Sequence, residues 1–117
     1  MVLGLEIKVE EIDSIIILRL LGRIDASSSA ILQDKMKVLI NENRYVILLD
    51  FSNIDYLSSA GLRVLLSFTK KCREAKGRLG IFNISDDVME VIKLTGFDKI
   101  LNIYKKEKDA LLEKKLC

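Results

Sequence analysis

The chain has 117 residues, half of them apolar, and its 19 basic and 17 acidic side chains leave a formal charge of +2. That is material for one domain with a buried core, too apolar for a disordered chain and too evenly charged for a dedicated nucleic-acid surface. With no His in the chain, Ser-His-Asp and Cys-His relays and His-ligated zinc sites are excluded.

Two strands come first. Leu3–Glu10 alternates, with Leu3, Leu5, Ile7 and Val9 on one face and Glu6, Lys8 and Glu10 on the other, the period of a half-buried strand. Ile15–Leu21 is rich in branched residues, and Glu11-Ile12-Asp13-Ser14 between them reads as a hairpin-like connection. Charge arrives too early after Met1 for a secretory signal, and runs such as Ile15–Leu18 are far below the ~20 residues of a membrane helix. A cytoplasmic protein without membrane insertion is expected. Gly22-Arg23-Ile24-Asp25 should leave the sheet, with Asp25, Ser27 and Ser28 as caps for the first helix.

That helix runs to about Asn43, with Leu32, Met36, Leu39 and Ile40 on one face and Asp34, Lys37 and Asn41 opposite. Tyr45–Leu49 is a continuous apolar run, the pattern of a strand covered on both sides. Asp50 ends it, and the residues up to Ser58 read as an acidic, polar loop. A second helix spans Ser59 to Lys76. Leu62, Leu65, Thr69 and Cys72, widened by Phe68 and Ala75, form its apolar arc, and Gly77 is placed to end it at C′. Cys72 falls on that apolar arc as a core residue, and Cys117 is the last residue; neither a disulfide framework nor a CxxC motif is present.

Leu79–Ile84 is the next strand. Ser85-Asp86-Asp87 caps and charges a third helix through Val88, Val91, Ile92 and Thr95, closed by Gly96. Lys99–Tyr104 is the last strand, and Lys106–Leu116 a terminal helix with Ala110, Leu111 and Leu112 as its apolar patch. The order β-β-α-β-α-β-α-β-α specifies a single α/β domain over residues 1–117. Its sheet is mixed, because strands joined through helices run parallel with right-handed crossovers.

Ser58-Ser59, at the mouth of the second helix, are the candidate site. A helix start offers unpaired N–H groups and partial positive charge, so a serine there is either a cap or a hydroxyl where a phosphate would be tolerated. Asp50 after an Ile- and Leu-rich strand, the approach Asp55-Tyr56-Leu57, then Ser58-Ser59-Ala60-Gly61-Leu62 resemble the signature of the STAS family (sulfate transporter and anti-sigma-factor antagonist domains). The opening Gly-Leu-Glu-Ile-Lys-Val, the Leu-Leu-Gly-Arg-Ile-Asp-Ala segment, and Ile-Ser-Asp-Asp-Val with the later Leu-Thr-Gly-Phe-Asp sit where that family has comparable segments. The likeness therefore covers nearly the whole chain.

In the bacterial antagonist branch the common form is Asp-Ser-Ser-Gly-Leu, phosphorylated on the serine two residues before the glycine. Carried over, that serine is Ser59, with Ser58 as the alternative acceptor. Two positions depart from the pattern: Ser58 stands where an acidic residue is frequent, and Ala60 where the second serine falls. The resemblance implies an anti-sigma-factor antagonist that is not an enzyme and needs no cofactor or metal. Unphosphorylated, it binds an anti-sigma factor with GHKL-type serine kinase activity and frees the sigma factor; a serine phosphatase resets it. The implied contact set is Asp25, Asp55, Tyr56, Leu57, Ser58, Ser59, Ala60, Gly61, Leu62 and Arg63, on a chain monomeric when free. Asp25 is equally a helix cap, and Arg63 either meets a phosphate or is solvated. Among enzyme readings, no phosphate-binding loop is present, and Gly77-Arg78-Leu79-Gly80 lacks the rest of a dinucleotide fingerprint. The rival reading is a non-switching STAS protein, a signalling scaffold or a soluble subunit of a membrane transporter.

Overall fold

The alternation at the start of the chain folds as a hairpin. β1 (Leu5–Ile12) and β2 (Ile15–Ile24) pair antiparallel in the computed structural model, which describes residues 4–113. The turn is Asp13-Ser14 alone, at φ 50° and 70°, a mirror-image turn whose twist matches that of the strands. Glu11 and Ile12, expected in the connection, stay in the ladder. The remaining elements are α1 (Ser29–Asn41), β3 (Val46–Leu57), α2 (Ser59–Glu74), β4 (Arg78–Phe82), α3 (Asp86–Thr95), a 3-10 turn (Phe97–Lys99), β5 (Asn102–Tyr104) and α4 (Glu107–Leu112). No helix among the described residues is long and apolar enough to cross a membrane.

The sheet order is β1-β2-β3-β4-β5, and β2 to β5 run parallel. Because the chain steps one way across the sheet, right-handed crossovers lay every connecting helix on the same face. Accordingly α1, α2 and α3 bury Leu32, Met36, Leu39, Leu62, Leu65, Phe68, Cys72, Val88 and Ile92 in one core with Ile16, Leu18, Ile47, Leu49 and Ile81. The other face is closed by α4, whose Ala110 rests on Ile17, Leu48 and Phe82. Leu65 is fully buried, so Leu65→Ala should cost on the order of 2–5 kcal/mol; urea unfolding with an unchanged m-value would register it.

Several expectations change. Lys76 rather than Gly77 takes the left-handed C′ position, at φ 65°. Its N–H bonds the carbonyl of Arg73 and that of Gly77 bonds the carbonyl of Cys72, which satisfies the last turn. Gly77 is required for another reason: a Cβ there would stand 2.1 Å from the main-chain oxygen of Tyr45. Ala75 is exposed, past the end of the apolar arc, and Val9 is 43% exposed because β1 is the sheet edge. The last strand begins only at Asn102, since Phe97–Lys99 closes into a 3-10 turn. In α4, Leu112 faces solvent while Ala110 is buried. Leu3, Leu116 and Cys117 lie outside the described residues. The Cys72 thiol is pushed up to about 11 by burial, as suits a core residue rather than a reactive one.

Two arginines tie α4 down. Arg78, 5% exposed, donates to the carbonyls of Ala110 (3.0 Å) and Glu113 (2.9 Å). Arg19 bridges Glu107 (2.6 and 3.1 Å), Asp50 (3.0 Å) and Glu10 (3.1 Å). The Asp50 carboxyl lies below the usual carboxylate range: burial opposes its charge, but the N–H and hydroxyl of Ser52 and the Arg19 guanidinium outweigh burial. A lowered folded-state pKa gives stability that is complete above the ordinary value of about 4 and lost as pH falls through the folded value. Asp50→Asn should therefore destabilise the protein at neutral pH and flatten its loss of stability below about pH 4. Chemical denaturation at pH 7 and pH 3 measures both.

Candidate partner-binding and phosphorylation site

The stretch expected as a loop is strand. After Asp50, β3 stays paired with β2 from Leu21↔Asn53 to Ile24↔Leu57, across two register shifts. At the second, Gly22 pairs Ile54 and Arg23 pairs Tyr56, so Asp55 is the extra, unpaired residue of a bulge. The bulge turns Asp55 and Tyr56 outward together while Ile54 and Leu57 stay inside. The same pairing keeps Gly22–Ile24 in the sheet, where they were expected to leave it.

The end of β2 then fixes the start of α2. The Ser58 N–H donates to the Ile24 carbonyl at 2.8 Å. Ser58 is the N-cap, extended at φ −86° and ψ 169°, and its Oγ accepts the Gly61 N–H at 3.1 Å. Ser59 is the first helical residue and is exposed; among the described residues its hydroxyl takes no hydrogen bond. One serine of the pair is therefore spent on the cap and the other is free. No acidic side chain occupies the first turn of α2, whereas α3 begins with Asp86 and Asp87. The positive end of the α2 dipole is left without a carboxylate.

Beside this mouth, Arg23 lays its guanidinium 4.6 Å from the Tyr56 ring centroid and stands 3.9 Å from Asp25. Arg23 was not among the sequence candidates, since nothing in the linear pattern separates it from a solvated strand-end charge; its pairing with Tyr56 is what places it. Asp25 is engaged with the turn before α1. Its Oδ1 accepts the N–H groups of Ser27 (3.0 Å) and Ser28 (2.8 Å), and contacts with Ser28 above all hold its carboxyl below the usual range. The helix itself starts later, with Ser28 as N-cap in helical conformation and without a side-chain cap.

Three sequence candidates are buried: Leu57 (3%), Leu62 (3%) and Gly61. They support the surface from below. A Cβ on Gly61 would stand 2.5 Å from Ile24 Cγ2 and 2.9 Å from Leu57 Cδ1, so the glycine permits α2 to approach β2 and β3 and leaves nothing open for a partner. The exposed set is Asp55, Tyr56, Ser59 and Arg63, with Asp25, Ser58 and Ala60 partly covered. Arg63, one turn after Ser59, makes no ion pair among the described residues.

The family model that matches is the STAS domain, over residues 6–110. The chain is 28% identical over 112 residues to the anti-sigma F factor antagonist of Paenibacillus polymyxa, covering 95% of this chain and 96% of that protein. It is 28% identical over 101 residues to the anti-sigma-B factor antagonist of Listeria monocytogenes, covering 86% and 88%. Among solved structures it is similar to an anti-sigma factor antagonist from Mycobacterium paratuberculosis, at 25% identity, 92% coverage of each chain and a TM-score of 0.83.

Proposed function

This chain belongs to the STAS domain family, and we propose that it is an anti-sigma-factor antagonist in a partner-switching pathway. Unphosphorylated, it binds an anti-sigma factor that is also a GHKL-type serine kinase, and the sigma factor is released. Phosphorylation of Ser59 ends the complex, and a serine phosphatase restores the binding form. ATP is the kinase's substrate, and this chain performs no chemistry. The observation that carries the reading is the division of labour between the serines: Ser58 caps α2, while Ser59 holds an exposed, unbonded hydroxyl at a helix start with no acid in its first turn.

The switch is local. A phosphate adds roughly −1.5 to −2 charge, stabilised within this chain by the α2 N-terminus. A partner docked over Asp55, Tyr56 and Ser59 would have to desolvate that charge. No change of fold is needed. Ser59→Asp should weaken binding to the cognate anti-sigma kinase by on the order of tenfold, about 1.4 kcal/mol. True phosphorylation should weaken it more, since the carboxylate carries about half the charge and fewer acceptors. The Ser59→Asp effect should shrink as salt rises. Titration calorimetry at two ionic strengths, with circular dichroism as folding control, measures this. Unchanged affinity in a folded Ser59→Asp protein would place the contact elsewhere and favour a non-switching scaffold or transporter subunit.

A further inference from the structure

We propose that Arg23 is the residue by which this chain selects its partner, and that the group it selects is a carboxylate on the anti-sigma kinase. This rests on the reading above, in which the partner docks over Asp55, Tyr56 and Ser59.

The chain has six arginines, and four are committed within the fold. Arg19 holds Glu10, Asp50 and Glu107, Arg44 holds Glu11, and Arg73 and Arg78 donate to main-chain carbonyls. Among the described residues only Arg23 and Arg63 donate no side-chain hydrogen bond. Both lie at the α2 mouth, Arg23 at the end of β2 and Arg63 in the second turn of α2.

Of these two, Arg23 is the one held in place. Its guanidinium lies 4.6 Å from the Tyr56 ring centroid, and the ladder sets the two residues opposite each other. Such a stack occupies the face of a guanidinium and leaves the N–H donors around its edge available. Asp25 does not use them. Its Oδ2 is 3.9 Å from Nε, beyond hydrogen-bond reach. Through its other oxygen, the N–H groups of Ser27 and Ser28 keep it on the turn before α1. Asp55, turned outward beside Tyr56, makes no ion pair among the described residues.

Docking changes what this free fork costs. A partner that covers Tyr56 also covers the guanidinium stacked on it. Leu21, two residues earlier on the same face of β2, is 42% exposed and lines a hollow of about 370 Å³ with Glu6, Lys8 and Asn53. The surround is therefore partly apolar. A guanidinium shut in there without a counter-charge is strongly unfavourable, whereas one that meets a carboxylate through two parallel N–H···O bonds makes a strong, directional contact. A kinase that brings an acid to this spot is accepted, and one that brings a neutral or basic group is rejected. Ser59 then governs when the complex forms, and Arg23 governs with which kinase.

The test is titration calorimetry of the full chain with the cognate anti-sigma kinase, with circular dichroism as folding control. Arg23→Glu should weaken the complex on the order of a hundredfold. Arg23→Lys, which keeps the charge but loses the fork, should weaken it on the order of tenfold. Tyr56→Leu should cost more affinity in wild type than in Arg23→Ala, where the stack is already gone. Exchanging exposed Asp and Glu residues of the kinase one at a time for Lys should yield one variant that recovers on the order of tenfold in binding to the Arg23→Glu chain. Affinity unchanged in a folded Arg23→Glu protein overturns the proposal and leaves the Ser59 reading intact. So does the failure of every kinase variant to rescue Arg23→Glu, since Arg23 then meets no carboxylate. A wild-type chain that does not bind the kinase at all defeats the reading on which both stand.

Discussion

Ser59→Ala should abolish phosphate incorporation by the cognate kinase, while Ser58→Ala should still be labelled, at Ser59. The two substitutions should also separate in stability. Ser58 Oγ holds the Gly61 N–H at 3.1 Å, so its removal should cost about 1 kcal/mol. Ser59 Oγ holds nothing among the described residues, so its removal should be close to neutral. Mass-spectrometric mapping after incubation with kinase and ATP, beside urea denaturation of the same proteins, reads both effects. Labelling of Ser59→Ala equal to wild type would overturn the assignment. Phosphate found at Ser58 would mean that the acceptor is the residue which caps the helix, and that the cap must open before transfer.

Substituting either of two glycines should be costly, for packing reasons alone. At Gly77 a Cβ would meet the main-chain oxygen and carbonyl carbon of Tyr45 at 2.1 and 2.7 Å, and neither atom has a rotamer to escape into. Gly77→Ala should force β4 away from the start of β3. At Gly61 the obstacles are the side chains of Ile24 and Leu57, which can shift. Gly61→Ala should therefore cost on the order of 1–3 kcal/mol, the range of overpacked cores, and Gly77→Ala should cost more. Thermal and urea unfolding rank the two. Gly61 variants should lose partner binding only in proportion to the fraction unfolded. A folded Gly61 variant with selectively lost affinity would return that residue to the contact surface.

What the linear pattern revealed was whatever has a local cause. Alternation located β1, the 3.6-residue period located α1 and α2, and Ser85 with Gly96 bounded α3. The order of elements is enough to make β2 to β5 parallel. Three features have no local signature. Polar residues Ser52, Asn53 and Asp55 read as loop, yet they continue β3 because bulges let it stay paired with β2. The αL position after α2 went to Lys76 because a close backbone approach claimed Gly77. The Arg19 cluster joins β1, β2, β3 and α4, with 88 positions between Arg19 and Glu107, and no period relates them. At the site, the serine pair was legible, but which serine is free, and which neighbours lie beneath the surface, depended on packing.

The closure of the second face by α4 bears on how the chain emerges from the ribosome. Ile17, Leu48 and Phe82 are translated well before Ala110, which covers them, and about 30 residues separate Phe82 from that lid. Until α4 docks, one apolar side of the sheet is bare. During that interval Arg19 has only Glu10 and Asp50 for company. A released chain truncated before Glu107 should thus be a client for holdase chaperones, since Ile17, Leu48 and Phe82 then lack their cover.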